Sequence, residues 1–287
     1  MSGPVIGSRY EPLVNAAMRV PILMYHEVVA AEELPALERK LQKDYVMTDA
    51  QFARQLSVLD EIGCNVIGLD RLLDALSGRA DLPANPAVIS FDDGYAGNRN
   101  HALPILQRFG FTATFFVVSR KIGDPFMMNW EQLRELHAAG MLVESHTASH
   151  PLLSQLGESA TRLELEESKR VIEQNVGAAV RFISLPNGDS NHFYPSIAGE
   201  LGYLAGCGSA IGFNDAASDR FRLKRIPVKR SMSDADFRGY VLGTAATMAS
   251  AHLRSLAKGA LVGVLGKGVY DKLYNQLFGV EDQRKSS

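Results

Sequence analysis

The chain has 287 residues, 46% of them hydrophobic and 22% charged, with a formal net charge of -2. This near-zero charge excludes a strongly basic nucleic-acid binder and an acidic disordered chain, so we expect no nucleic-acid partner. Two cysteines, Cys64 and Cys207, are too few for a disulfide framework or a thiolate zinc site. The length fits either two domains or one α/β barrel of about 250 residues.

Short apolar runs alternate with helical patterns along the chain. The runs are residues 20–25, 66–69, 88–91, 112–118, 141–143, 180–185, 203–206 and 223–228. The predicted helices include residues 48–62, capped by Thr48, residues 130–139, capped by Asn129, and residues 163–176. Apolar strands that alternate with helices indicate a parallel sheet covered on both faces. So many strand–helix units in one chain favour a closed or nearly closed barrel over an open doubly wound sheet.

The two ends of the chain lack a recognisable targeting or membrane-spanning pattern. Residues 1–20 hold no apolar signal region, and no uncharged apolar run reaches about 18 residues. We therefore expect a cytoplasmic protein. Near the carboxyl end, leucines repeat at helical spacing beside basic residues between positions 253 and 267. A peripheral membrane contact is one interpretation of this helix, and packing on the main domain is the other.

Four of the apolar runs end in polar groups. The groups are Tyr25-His26-Glu27, Asp92-Asp93-Gly94, Ser145-His146 and Pro186-Asn187-Gly188. Active-site residues of a β/α barrel lie at the carboxyl ends of its strands, so we expect these groups at one rim. Asp-Asp-Gly is also ordinary turn chemistry. Adjacent side chains of a regular strand point to opposite faces, so the two aspartates share a site only if the strand bends at Gly94.

His146 and His150 are four residues apart, a spacing that places both on one face of a helix and suits metal capture. The alternative is a capping turn that carries two surface histidines. A carboxylate as third ligand would complete a His-His-carboxylate site with open positions. Such a site fits Zn²⁺, and it is also compatible with Co²⁺, Ni²⁺ or Fe²⁺.

Taken together, Phe91-Asp92-Asp93-Gly94 followed by His146-Thr147-x-x-His150 resembles the first two motifs of polysaccharide deacetylases of the NodB-homology type, carbohydrate esterase family 4. The resemblance covers residues 20–228. It implies a distorted (β/α)7 barrel over residues 20–235, between an N-terminal segment at 1–19 and a C-terminal helical extension at 236–287. It also implies Asp92 as general base and Asp93, His146 and His150 as ligands of a divalent metal, most simply Zn²⁺.

The third motif of that family, Arg-x-Pro-Tyr/Phe-Gly, aligns with Ser184-Leu185-Pro186-Asn187-Gly188, so a serine replaces the arginine that orients the base. Asn187 retains a backbone N–H of the kind that helps to bind the oxyanion. We expect Asn187, Tyr25 and Arg225 to form the oxyanion- and substrate-binding group. Arg225 is also the suggested substitute for the missing arginine.

The fourth and fifth motifs, the latter supplying the general acid, have no clear match near the carboxyl end. However, Leu23-Met24-Tyr25-His26 resembles the first strand of a permuted subgroup of exopolysaccharide N-deacetylases. In that subgroup the histidine is the acid, which implies this role for His26. The alternative is a structural histidine at a strand end.

The sequence thus predicts a metal-dependent hydrolase that removes N-acetyl groups from a sugar polymer or glycolipid. The altered third motif leaves open a hydrolase of a small amide or imide on the same barrel. The missing motif residues also leave open a catalytically dead carbohydrate-binding homologue.

Overall fold

The computed structural model describes residues 19–37, 41, 43–244, 247 and 249. The strands are β1 (Ile22–Tyr25), β2 (Glu27–Val29), β3 (Val46–Thr48), β4 (Asn65–Val66), β5 (Pro86–Phe91), β6 (Thr114–Val117), β7 (Leu142–Ser145), β8 (Phe182–Ser184), β9 (Ala205–Ile211) and β10 (Leu223–Pro227). The helices are α1 (Leu34–Leu37), α2 (Asp49–Glu61), α3 (Leu69–Leu76), α4 (Leu103–Phe109), α5 (Trp130–Ala138), α6 (Glu158–Val176), α7 (Tyr194–Glu200) and α8 (Asp234–Leu242).

Seven parallel strands close into a barrel in the order β1-β10-β9-β8-β7-β6-β5, and β5 pairs back onto β1. The closing register runs from Ile22↔Val88 to Tyr25↔Phe91. β4 extends the sheet beside the start of β5, while β2 and β3 form a separate parallel pair. The predicted (β/α)7 barrel is therefore confirmed.

The barrel strands are short, and most of their residues are buried on both faces of the sheet. In β5, Ile89 and Phe91 belong to one apolar cluster and Val88 to a second, as the alternation of side chains along a strand requires. Phe91 stacks on Phe115 of the neighbouring β6 at 4.8 Å between ring centroids. Each such buried aromatic ring stabilises the fold by about 1.5–3 kcal/mol.

The helix starts follow the predicted caps. Thr48 and Asn129 each form a reciprocal capping box, with Gln51 and Gln132 respectively, so α2 and α5 begin where the sequence indicated. Helix α6 begins at Glu158, five residues before the predicted start at position 163. Its first turn is mostly polar, which is why the apolar pattern showed only the later part.

Residues 27–48 form an excursion between β1 and α2 that the sequence did not predict. Its described part contains β2, α1, a short 3-10 turn at Lys43–Tyr45, and β3. Residues 253–267, on which the membrane-contact interpretation rests, lie outside the described residues, as does most of the predicted C-terminal extension. In the described ranges, no helix has the length and apolar character needed to span a bilayer.

Candidate metal centre and catalytic site

Three donor groups converge at the carboxyl ends of β5 and β7. The Oδ1 atom of Asp93 lies 3.5 Å from Nε2 of His146 and 3.4 Å from Nε2 of His150. One donor atom from each residue lies within 4.8 Å of the others. Two ligands at about 2.0–2.1 Å from Zn²⁺ in tetrahedral geometry stand about 3.3–3.4 Å apart. The spacing and the His-His-carboxylate chemistry both fit a divalent cation.

The two histidines meet Asp93 through a loop, so the expected helical face for His146 and His150 is wrong. Residues 146–150 follow β7 without helical structure, and Thr147 and His150 have φ angles of 66° and 64°. Side chains satisfy the loop backbone: Thr147 Oγ1 accepts from the His150 N–H, and Glu164 accepts from Ala148 and Ser149. This left-handed backbone, which costs about 1–3 kcal/mol per residue, turns both imidazoles toward Asp93.

A backbone bend also separates the two consecutive aspartates. Asp93 has φ 75° and Gly94 has φ 87°, directly after β5 ends at Phe91. A Cβ atom at Gly94 would lie only 3.0 Å from Val117 Cγ1, so this close approach favours glycine. The bend lets Asp93 join the histidines while Asp92 takes a different set of partners.

Asp92 is buried and held by Arg225 of β10. The guanidinium donates from Nη1 to Oδ1 at 2.7 Å and from Nη2 to Oδ2 at 2.8 Å. The Ser184 hydroxyl donates to Oδ2 at 3.1 Å and accepts from Arg225 Nη2 at 2.9 Å. Burial opposes ionisation of Asp92, but the positive charges of Arg225 and His146 outweigh it and lower its pKa. Asp92 is thus a carboxylate fixed in one orientation.

Two residues of the expected substrate-binding group are placed elsewhere. Arg225 is 1% exposed, and its Nε also donates to the Gly208 carbonyl at 2.8 Å, so the guanidinium is bound to the protein interior. It lies at Asp92, where a substitute for the missing motif arginine would lie. Tyr25 is fully buried and packs on Phe52 and Phe91 in the core. Because Tyr25 is 0% exposed, its side chain lies in the packed core of the barrel in this structure.

Neighbouring groups set the state of each imidazole in the donor set. His146 Nδ1 donates to the Ser184 carbonyl at 2.8 Å, which leaves Nε2 as the ring nitrogen that faces Asp93. Burial lowers the pKa of His146, but the negative charges of Asp92 and Asp93 raise it by more, so the pKa lies above its usual value. Burial and the adjacent His146 lower the pKa of His150 to about 4. His150 is therefore neutral at neutral pH, the state that metal ligation requires.

His26 follows β1 at the same rim. Its backbone carbonyl accepts from Asn98 Nδ2 at 2.6 Å, and its ring lies 4.4 Å from the Tyr45 ring. Its Nδ1 is buried and has no hydrogen-bond partner among the described residues. Burial lowers the pKa of His26, against the raising effects of Asp93 and Asp92.

Asn187 lies just after β8, with φ 56° in a tight turn. Its carbonyl accepts from Ser209 Oγ at 3.1 Å, and a Cβ atom at Gly188 would lie 2.5 Å from Ser209 N. The turn is thus fixed against β9, with the Asn187 backbone at the rim of the barrel.

Tyr45 and Ser184 lie at the site although neither was predicted as a site residue, and Ser184 was noted only as a departure from the third motif. No motif could show Tyr45, because it belongs to the excursion and meets His26 through strand pairing. Ser184 could have been found from the sequence, because a small polar residue at a strand end leaves space for a longer side chain, such as an arginine, from another strand.

Comparison with known proteins agrees with this geometry. The sequence profile of the family described as polysaccharide deacetylase matches residues 79–206. YxkH of Bacillus subtilis, whose name places it among polysaccharide deacetylases, is 26% identical over 223 residues, covering 78% of this chain and 76% of its own. A Streptococcus pyogenes deacetylase, PplD, solved in complex with acetate, has 26% identity and a TM-score of 0.69, over 76% of this chain and 96% of its own.

A Staphylococcus aureus poly-beta-1,6-N-acetyl-D-glucosamine N-deacetylase is 24% identical over 164 residues, covering 52% of this chain and 56% of its own. The fold and these relatives define a hydrolase that acts on carbon–nitrogen bonds other than peptide bonds. The chain is similar to polysaccharide deacetylases over residues 79–206, in agreement with the resemblance of its motifs.

Proposed function

We propose that this chain is a metal-dependent N-deacetylase that hydrolyses the acetamide groups of an N-acetylated sugar polymer or glycolipid. One observation carries the proposal: the His-His-Asp donor set lies directly beside Asp92, a buried carboxylate ionised and oriented by Arg225. The Staphylococcus aureus relative, named for an N-acetylglucosamine polymer, supports a sugar amide as substrate.

Asp93, His146 and His150 would hold the metal, and Zn²⁺ suits their nitrogen and oxygen donors best. A cation bound there supplies Lewis-acid polarisation of the acetamide carbonyl and acidifies water. His146 is ready to bind because its Nδ1 proton is already committed to the Ser184 carbonyl.

Asp92 would act as general base. Its carboxylate removes a proton from the attacking water, which bonds to the acetamide carbon through its oxygen. Arg225 and Ser184 hold the carboxylate in one orientation, and the charge of Arg225 lowers its pKa and so favours the ionised form. A positioned base of this kind contributes about 10²- to 10⁴-fold to the rate.

Asn187 and His26 would complete the reaction. The backbone N–H of Asn187 donates to the oxyanion of the tetrahedral intermediate. His26 would give its ring proton to the sugar nitrogen as the carbon–nitrogen bond breaks, because an amine leaves poorly without protonation. Burial disfavours the protonated form of His26, whereas the negative charges of Asp93 and Asp92 favour it. The products are acetate and a free amino sugar.

The test is acetate release from N-acetylglucosamine oligomers by purified protein loaded with Zn²⁺. Asp92→Asn is expected to lower kcat by about 10²- to 10⁴-fold, because the amide cannot take the proton. Asp74→Asn is the matched control, since Asp74 makes a surface ion pair with Arg79 away from the rim. His150→Ala is expected to reduce the bound metal measured by elemental analysis. Bound metal without acetate release from any sugar would contradict the proposal.

A further inference from the structure

We propose that Tyr45 is a positioning residue for His26, whose imidazole is held by packing against the Tyr45 ring in place of a hydrogen bond. The inference rests on the proposed function of His26 as general acid. It gives the excursion at residues 27–48, which is not part of the barrel, the function of positioning His26.

His26 has an unusual environment for a proton donor. Histidines in catalytic sites are commonly oriented by a carboxylate or carbonyl that accepts from the second ring nitrogen. Here Nδ1 is buried, and no described residue hydrogen-bonds to it. The ring contact that the structure shows is with Tyr45, at 4.4 Å between centroids and an interplanar angle of 42°.

The fold of the excursion brings the two rings together. β2 begins at Glu27 and pairs in parallel with β3, in the register Glu27↔Val46. His26 and Tyr45 are the residues that directly precede this pair. Their proximity is therefore a consequence of strand pairing.

Contacts of the preceding residue, Asp44, and of Lys229 hold Tyr45 in place. The Asp44 carbonyl accepts from the Arg230 N–H at 2.8 Å, and the Asp44 carboxylate pairs with Lys229 Nζ at 2.9 Å. Lys229 Nζ also lies 5.7 Å from the centroid of the Tyr45 ring. These contacts join the excursion to the segment after β10, so Tyr45 has a fixed support.

If the His26 imidazole is displaced, only the rates of reactions whose leaving group must be protonated should fall. Proton transfer requires an approach of about 2.6–3.2 Å, and a misplacement of about 1 Å can cost about 10²-fold. The amine of an acetamide must be protonated, whereas a nitrophenolate leaves as an anion. A variant that loses only the positioning of His26 should therefore be slower on the amide and not on the aryl ester. A variant with a disturbed fold should be slower on both substrates.

The experiment compares Tyr45→Leu with wild type on an N-acetylglucosamine oligomer and on para-nitrophenyl acetate. Tyr45→Leu is expected to lower kcat on the amide about tenfold or more and to change the ester rate less than about twofold. Phe111→Leu is the matched control, because Phe111 packs on Phe109 in the turn that leads into β6, at the opposite end of the barrel. Equal losses on both substrates, or no loss on the amide, would overturn the proposal.

A second measurement does not depend on turnover. In protein with isotope-labelled histidine, assigned with His26→Gln, the His26 ring signals should shift in Tyr45→Leu as the ring current is lost. Asp44→Asn should shift them in the same direction by less, with Asp74→Asn as control. Unchanged His26 signals would contradict the contact itself. Wild type that releases no acetate from sugars would refute the proposed function, and these signals would still decide the Tyr45 contact.

Discussion

The base side and the acid side of the site are held by different forces. On the base side, defined as Asp92, Arg225, Ser184 and His146, Asp92 accepts three hydrogen bonds and His146 donates to a carbonyl. On the acid side, defined as His26, Tyr45 and Asn98, the imidazole packs on the Tyr45 ring, and the His26 backbone carbonyl accepts a hydrogen bond from Asn98.

The difference follows from which elements build each side. The base side comes from the ends of β5, β7 and β8 together with β10, so barrel closure itself aligns its charges. The acid side depends on the excursion for Tyr45. A buried charge pair loses most when one partner is removed, whereas a packing contact loses only contact area. Substitutions on the two sides should therefore differ in size.

The largest effect is expected for Arg225→Met, which leaves Asp92 buried without its counter-ion. The free energy of unfolding should fall by about 3–5 kcal/mol, as for other buried pairs that lose one partner. Denaturant unfolding measures it, with Arg79→Met as control, because Arg79 pairs with Asp74 on the surface. A loss below about 1 kcal/mol would show that the base side is no more tightly held than a surface pair.

Metal removal should have the next largest effect. A cation at a concentration about 100 times its dissociation constant stabilises the native state by about 2.7 kcal/mol. Chelation should therefore lower Tm, and readdition of Zn²⁺ should restore it. His150→Ala should abolish this response while Tyr45→Leu keeps it, since Tyr45 supplies no ligand. A metal response that survives in His150→Ala would place the cation elsewhere.

Much of this arrangement was predictable because barrel geometry converts strand ends into neighbours. The sequence placed Asp92, Asp93 and His146 after apolar runs, and parallel strands in a closed sheet bring such positions to one rim. Arg225 was a weaker prediction, since it follows no polar strand-end group in the sequence and meets Asp92 and Ser184 across the barrel.

The rest depended on backbone and pairing details that no local pattern encodes. Asp93, Thr147, His150 and Asn187 all have positive φ, although none is a glycine. In the loop of Thr147 and His150, side-chain hydrogen bonds to the backbone N–H groups support these conformations. The spacing of His146 and His150 suggested a helix, and that interpretation was wrong because the segment is a loop. Tyr45 meets His26 only through the β2–β3 register.

Low pH should weaken the base side selectively. The pKa of Asp92 in the fold lies below its unfolded value, because Arg225 and His146 outweigh burial. The stabilisation that results from this lowered pKa is complete above the pKa of an unfolded aspartate, about 3.9. It is lost as the pH falls through the pKa of Asp92 in the folded chain. The stability advantage of wild type over Asp92→Asn should therefore shrink below about pH 4, whereas Tyr45→Leu should follow wild type. A constant advantage across this range would contradict the assigned direction.

The smallest effects come from a matched pair, Ser184→Ala and Asn98→Ala. Ser184 bonds a charged carboxylate, so its loss should cost about 1.5–3 kcal/mol. Asn98 bonds an uncharged carbonyl, and its own buried Oδ1 has no partner among the described residues. Because Asn98→Ala also removes this unpaired acceptor, the free energy of unfolding should fall by only about 0.5–1.5 kcal/mol. Denaturant unfolding ranks the two, and an equal cost would mean that hydrogen bonding holds the acid side as firmly as the base side.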